Sequence, residues 1–414
     1  MNEAHSNSLT PVLAALETTR RQAIAGLLAT AAAFIGLDLE SEAKKKGHKR
    51  GKKKNKKTDK NSNNNTNNNY GNGNDNNDNG NQPPPTDPDP DGQPPDKANV
   101  AVGAYIPRAL DDPAVLTQFH QNIGRPLDFV IWYEHWSLGN FNNGSRQYLA
   151  TYDSWNMIPV ISWNPFDAHD HWVDQPAYSL STIFHGDHDE YIDSWAAGLK
   201  VYGKPVYIKF AHEMNGNWNP WGYGVNGNQP GDYIQAWRYI HNRFTDAGAT
   251  NVRWIWNPNI ATNGIAATLA QVYPGDAYVD WVGMNGYNWG TTVYWVSCPC
   301  ESTWDSFSQV FDRTYNQLVA LTDKPIFIGE FASSEDGGDK AEWITDGLMV
   351  QLPARYPRVK GISWFSTVAT GLDTNANGVI SPTAEVDWRV TSSSAATQAF
   401  ADAIKHTYYQ ATLG

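Results

Sequence analysis

Two glutamates carry the clearest chemical signal in this chain. Residues 205–222 read PVYIKFAHEMNGNWNPWG, where Val206, Ile208 and Phe210 alternate with Tyr207 and Lys209 ahead of His212 and Glu213. The pattern predicts a buried strand over 205–213 that ends in an ionisable pair, with the indoles of Trp218 and Trp221 directly after it. The second glutamate, Glu330, lies 117 residues further on, at the end of another apolar run, PIFIGEF at 325–331. A carboxyl pair of this kind can divide the cleavage of a glycosidic bond. One group protonates the leaving oxygen while the other waits as an anion on the opposite side of the sugar. The donor then needs a raised pKa, and the anion must stay ionised. Alone, either glutamate reads more readily as a salt-bridged strand end. Two of them at strand tips among indoles favour chemistry.

The elements that must position this pair recur at regular spacing. Short apolar runs occupy 99–106, 128–135, 157–165, 205–213, 252–259, 280–289, 325–331 and 360–366. They are continuous rather than alternating in polarity, as expected of strands covered on both faces. Helical patterns lie between them at 191–203, 231–248, 306–322 and 340–356, and one from Ser392 closes the chain, its serines suiting an N-cap. In the second of these Ile234, Trp237 and Ile240 share a face, and Gly248 is a natural stop. Eight strands alternating with helices predict an α/β fold, a single (β/α)8 barrel. An open doubly wound sheet is the alternative, but it would more often carry a Gly-rich phosphate loop. In a barrel the carboxyl ends of all strands meet at one mouth, where the tips of the fourth and seventh would present Glu213 and Glu330 to each other.

Composition divides the chain. All 18 Trp fall between Trp132 and Trp388, and residues 1–97 contain none. The folded domain is therefore expected at 98–414. It holds 17 Lys+Arg against 31 Asp+Glu, a net charge of −14. Such a domain repels nucleic acid phosphates and makes an acidic polysaccharide a poor substrate. Neutral ligands with flat apolar faces remain, and sugars lead among them.

Residues 1–43 read as an export signal. Arg20-Arg21 precede the apolar run AIAGLLATAAAFIGL at 23–37, and Ser41-Glu42-Ala43 offers a small-residue cleavage site. The paired arginines resemble a twin-arginine signal, although Ala23 stands where a bulky apolar residue is usual. The run is too short to span a bilayer comfortably; an uncleaved anchor is the alternative, and no transmembrane span is expected in the mature chain. Residues 44–97 pass from a Lys-rich block through an Asn-rich stretch to a Pro-rich one, a composition expected to be a disordered linker. After an export signal the basic block would contact an anionic cell surface or do nothing specific. The expected location is secreted or cell-surface.

Cys298 and Cys300 have no second pair, which argues against zinc and leaves a strained disulfide or two free thiols. The loop Asp373-Thr-Asn375-Ala-Asn377-Gly378 has calcium-loop acceptors at its first, third and fifth positions. Ala384 stands where the twelfth-position glutamate belongs, so an Asn/Gly turn is the competing reading. No metal and no cofactor are expected, and a monomer is.

The run His212-Glu213-Met214-Asn215-Gly216, followed by Trp218 and Trp221-Gly222, resembles the signature of glycoside hydrolase family 26. The resemblance covers most of 98–414. It takes in Gly286-Tyr287-Asn288-Trp289, Ile328-Gly329-Glu330-Phe331 and Trp364-Phe365, of which Gly-Glu-Phe alone is unspecific. It implies a retaining barrel enzyme of a family known for β-mannanases, with Glu213 as acid/base and Glu330 as nucleophile. It further implies that His212 holds the substrate or Glu213, that Tyr287 bonds the nucleophile, and that Trp218 and Trp364 flank the reacting sugar. The strand-end residues Glu134, His135, Trp136, Trp163, Asn164, Asn215, Trp221, Asn257 and Trp289 read equally as sugar contacts or barrel packing. Trp195, Trp237, Trp281 and Trp343 read as core. The resulting expectation is a secreted retaining endo-β-glycanase acting on β-1,4-mannan. Mixed-linkage β-1,3-1,4-glucan is the alternative substrate. A non-catalytic polysaccharide-binding barrel is the reading from another class, and the presence of both carboxylates weighs against it.

Overall fold

Each apolar run becomes a strand because its side chains are covered on both sides, by the barrel interior and by the helices. In the computed structural model the strands are β1 Ala101–Tyr105, β2 Phe129–His135, β3 Ile158–Asn164 and β4 Val206–Phe210, then β5 Val252–Trp256, β6 Trp281–Asn288, β7 Ile326–Ser333 and β8 Val359–Phe365. They pair in parallel in chain order, and β8 returns to β1, closing a barrel with no free edge. The structure describes residues 94–95, 97–141, 145–170, 173–261, 265–292, 294–295, 300–370, 373–374, 380–381 and 385–413. The export segment, nearly all of the linker and Cys298 lie outside these residues, and so does most of the loop read as a calcium site. Among the described residues no helix is long and apolar enough to cross a membrane.

A helix follows every strand: α1 Pro113–Ile123, α2 Ser145–Trp155, α3 Asp189–Tyr202, α4 Asp232–Ala247, α5 Leu269–Val272, α6 Phe307–Leu321, α7 Lys340–Thr345 and α8 Ser394–Lys405. The sequence pattern missed three of them. α1 and α2 are eleven residues each, and α2 is mostly polar; α5 is a single turn. In α4 the buried stripe is Tyr233, Ala236, Trp237, Ile240 and Phe244, with Ile234 only half-buried at its margin. Gly248 ends that helix in the left-handed conformation, at φ 79°. α8 is capped by Ser393, one of the serines of that run: its side chain accepts from the Ala396 N–H.

The period of two along each strand sorts side chains into two cores. Ala101, Phe129, Ile131, Val160, Tyr207, Ile255 and Phe327 fill the barrel itself. The larger core lies between barrel and helices and holds most of the tryptophans, among them the buried Trp195, Trp237 and Trp343. Trp281 is half-buried and packs against the inner core instead.

Candidate active site

Strand β4 turns Tyr207 and Lys209 inward and then stops at Phe210, three residues short of the predicted end. A continued strand would send His212 and Glu213 to opposite faces. Ala211 and Glu213 instead adopt φ of 45° and 58°, a conformation that a residue with a Cβ takes only at a cost of about 1–3 kcal/mol. The Glu213 N–H is secured on the Asn257 carbonyl at 2.8 Å. The two kinks let consecutive side chains reach the same mouth. On β7 a bulge serves the same end: Met284 pairs with Ile328 but Asn285 pairs with Glu330, so Gly329 is skipped. A Cβ on Gly329 would lie 2.1 Å from Asn257 Oδ1, which leaves glycine as the residue that fits.

Glu330 is 2% exposed and accepts three hydrogen bonds. The Tyr133 hydroxyl donates to Oε1 at 2.6 Å, Lys209 Nζ donates to Oε1 at 3.1 Å, and the Tyr287 hydroxyl donates to Oε2 at 2.7 Å. Glu213 is 1% exposed and accepts from Asn285 Nδ2 at 2.8 Å and Trp218 Nε1 at 3.0 Å. Asn257 Nδ2 donates to Asn285 Oδ1 at 2.7 Å, which turns the Asn285 amide N–H toward Glu213. One oxygen of each carboxylate and one His212 ring nitrogen lie within 4.8 Å of one another.

These surroundings drive the two carboxyls apart. Burial, and then the charge of Glu330, push Glu213 up to about 7, against the hydrogen bonds from its amide and indole partners. Burial also works against the Glu330 anion, but the Lys209 ammonium and the two phenol hydroxyls outweigh it and hold that group below the usual carboxylate range. Near neutral pH one carboxyl can thus be an acid while its neighbour is an anion. Burial lowers His212 to about 4, so its ring is neutral. Its Nδ1 lies 3.1 Å from Asn164 Oδ1, an atom that can only accept, and 3.0 Å from Ser162 Oγ. The hydrogen-bond network therefore assigns the proton to Nδ1 and leaves the Nε2 lone pair toward the pocket, 3.9 Å from Glu330 Oε1. His212, Glu213 and Glu330 could in principle hold a cation, yet Lys209 already supplies Glu330 with a positive charge that would repel a second.

The other predicted site residues divide. Trp218 and Trp289 are half-exposed indoles at the mouth. Tyr287 lies beneath them against Glu330. Trp221 is buried; its Nε1 donates to the His212 carbonyl at 2.7 Å, so it fixes the histidine from behind. Asn215 is buried and exchanges hydrogen bonds with the Asn259 backbone in both directions, tying two loops together. His135 is 2% exposed, lies on Phe166 and is held neutral by burial at about 4. Trp163 and Trp364 do not reach the mouth. Trp163 points outward and stacks on Tyr191 with ring centroids 5.7 Å apart. Trp364 pairs with Phe331 in register and packs on Phe331, Trp343 and Phe400 in the helix layer. Phe365, one residue later and of opposite parity, occupies the inner place, against Tyr105, Tyr133 and Tyr287. Glu134 and Trp136 are likewise buried, Trp136 in the outer layer against Trp163 and Tyr191.

Three residues at the centre escaped the sequence reading: Tyr133, Lys209 and Asn285. The signal for Lys209 was present, since a lysine on the inner face of an apolar strand must meet a carboxylate.

A closed parallel barrel whose fourth and seventh strand tips hold two buried, unlike carboxyls has the layout of a glycoside hydrolase. Residues 166–331 match the model of glycosyl hydrolase family 26, which bears out the resemblance read from the sequence. It is 35% identical over 309 residues to Endoglucanase H of Acetivibrio thermocellus, covering 74% of this chain and 30% of that protein. It is 26% identical over 154 residues to the β-1,3-xylanase TXYA of a Vibrio species, covering 36% and 28%. It is 28% identical over 182 residues to mannan endo-1,4-β-mannosidase A and B of Caldalkalibacillus mannanilyticus, covering 42% and 31%. The chain thus spans about a third or less of the length of these curated relatives. The catalytic domain of the Bacillus sp. JAMB-750 endo-β-1,4-mannanase shares the fold at TM-score 0.53 and 16% identity, over 75% of this chain and 87% of that one. So does a β-mannanase from Bacteroides ovatus, at TM-score 0.51 and 16% identity, over 75% and 90%.

Proposed function

We propose that the barrel is a retaining endo-β-glycanase. The single observation that carries this is the opposed setting of the two carboxyls: Glu213 raised to about 7 and Glu330 held as an anion, with oxygens within 4.8 Å. Retaining enzymes keep the carboxyls about 5–5.5 Å apart, whereas inverting ones leave about 6.5–9.5 Å for a water. Glu213 protonates the glycosidic oxygen as Glu330 attacks the anomeric carbon and the C–O bond to the leaving group breaks. Glu213, now a carboxylate, takes a proton from water, whose oxygen displaces Glu330 and restores the starting anomer. Trp218, which donates to Glu213, sits on the leaving-group side.

The substrate we favour is a β-glucan, mixed-linkage glucan included. The match to Endoglucanase H is longer and more identical than that to the mannosidase A and B. β-Mannan is the second reading, supported by that mannosidase. We also infer export by residues 1–43, because a polysaccharide must be met outside the cell; the N-terminal sequence of the protein recovered from culture medium tests this.

The barrel domain should release reducing sugar from mixed-linkage glucan, and NMR of the first products should find the β-anomer. Cleavage of mannan alone overturns the substrate and keeps the mechanism; an α-anomer overturns the mechanism. The same assay should give kcat/KM a bell-shaped pH dependence. Its acid limb lies below about pH 4.5, where Glu330 protonates, and its alkaline limb near pH 7, where Glu213 loses its proton. An alkaline limb two units higher would mean that Glu213 is not the acid.

A further inference from the structure

Behind the nucleophile stands a stack that ends in a loop. Tyr287, the donor to Glu330 Oε2, packs on Trp388 at 5.1 Å between ring centroids, and Trp388 meets Trp289 edge-on at 5.0 Å. Trp388 itself belongs to no strand or helix; its N–H donates to the Thr367 carbonyl at 2.9 Å, and the carbonyls on this segment are held by side chains.

Two side chains capture three consecutive carbonyls there. Lys340 Nζ donates to Asp387 O at 3.0 Å, to Arg389 O at 2.8 Å and to Ser392 Oγ at 2.9 Å. Trp364 Nε1 donates to Trp388 O at 2.7 Å. All three ammonium protons are therefore used. Lys340 is 1% exposed and lies 5.8 Å from the Trp364 ring. Burial lowers it to about 8; Glu335 and Asp387 oppose that shift and Arg389 adds to it. A buried ammonium is an expensive way to fill space, and an apolar side chain would pack there more cheaply. Its three directed donors explain the lysine.

We propose that Lys340 is a positioning residue for the reaction: with Trp364 it clamps the Trp388 segment against Tyr287 and so holds the hydrogen-bond donor of Glu330 in place. The catalytic consequence rests on the proposed glycanase reading, while the clamp itself does not.

Two readouts separate these. Near-UV circular dichroism needs no substrate. Lys340→Met should reproduce the change seen in Trp388→Leu, because both remove the ordered contact among Trp388, Trp289 and Tyr287. In kinetics both variants should lose roughly 10-fold in kcat/KM, as a slightly misplaced catalytic group does. Their acid limb should move to higher pH as the Tyr287 bond to Glu330 loosens, with the alkaline limb unmoved. The double variant should be no worse than either single one. A wild-type dichroism spectrum in Lys340→Met overturns the clamp. A less stable Lys340→Met with an unshifted acid limb, assayed where it is fully folded, reduces it to a loop anchor. Should Lys340→Met not fold, Trp388→Leu decides: an unchanged acid limb there sinks the proposal. A wild type inactive on every glycan, with the dichroism result intact, counts against the function and not against the clamp.

Discussion

Glu330→Ala is expected to lower glycan cleavage by roughly 10⁴-fold or more, since on the proposed mechanism it removes the group that forms the covalent intermediate. The variant opens a space bordered by Lys209, Tyr133 and Tyr287, all of which lose their acceptor. A small anion fits that space and its charge. Added azide should therefore restore cleavage of an activated aryl β-glycoside. It would form its C–N bond from the face that Glu330 vacated, as the bond to the aryl oxygen breaks, and give the α-glycosyl azide. Glu213→Ala should behave differently. Leaving groups that need no proton should still depart, so the intermediate on Glu330 forms and then waits for water that no base activates. Azide would displace Glu330 from that intermediate and give the β-glycosyl azide. The anomer thus reports which carboxyl is which. The opposite pair of anomers would exchange the two roles. Failure of azide to rescue a folded Glu330→Ala would remove Glu330 as nucleophile. Loss of the acceptor also leaves Lys209 buried and uncompensated, so a lower melting temperature is expected and the assay belongs well below it.

The elements were legible in the sequence because their signal is local. Runs such as PVYIKFAHE and PIFIGEF are apolar on both strand faces apart from Lys209 and their ionisable ends, and a barrel covers both faces of such strands. Residue parity was less legible, because it depends on where each strand begins and whether it bulges. Trp364 and Phe365 illustrate this: both are aromatic, both end β8, and only register assigns Phe365 to the mouth and Trp364 to the helix layer. The left-handed turns at Ala211 and Glu213 left no trace either, since neither residue is of a type that favours them. Tyr133 and Asn285 lie far from both glutamates in sequence, and tertiary closure alone brings them together. Lys209 is the instructive case. A lysine inside an apolar strand announces a buried partner, and the fold supplies one in Glu330.

That pair supports the second large effect. Lys209 and Glu330 are both essentially without solvent access, so removing one leaves the other as an uncompensated buried charge. Lys209→Met is expected to cost about 3–5 kcal/mol near neutral pH. The pH dependence distinguishes this from lost packing. In the native protein Glu330 titrates below its unfolded value, so its contribution is fully present above about pH 4.5 and disappears as pH falls through the lower folded pKa. Without the ammonium, burial prevails and the folded pKa rises above the unfolded one. The variant then becomes less stable as pH rises from about 4.5, the reverse of the native slope for this group. Thermal melts of both proteins at about pH 4 and about pH 7 should therefore differ far more at the higher pH. Activity should follow the same proton. The acid limb of kcat/KM should move up toward the alkaline limb that Glu213 sets near pH 7, narrowing the bell and lowering its peak. Lys209→Arg keeps a cation within reach of Oε1 and should hold the acid limb low. A deficit in Lys209→Met that is equal at both pH values, with an unmoved acid limb, would mean that the two tyrosine hydroxyls alone keep Glu330 ionised.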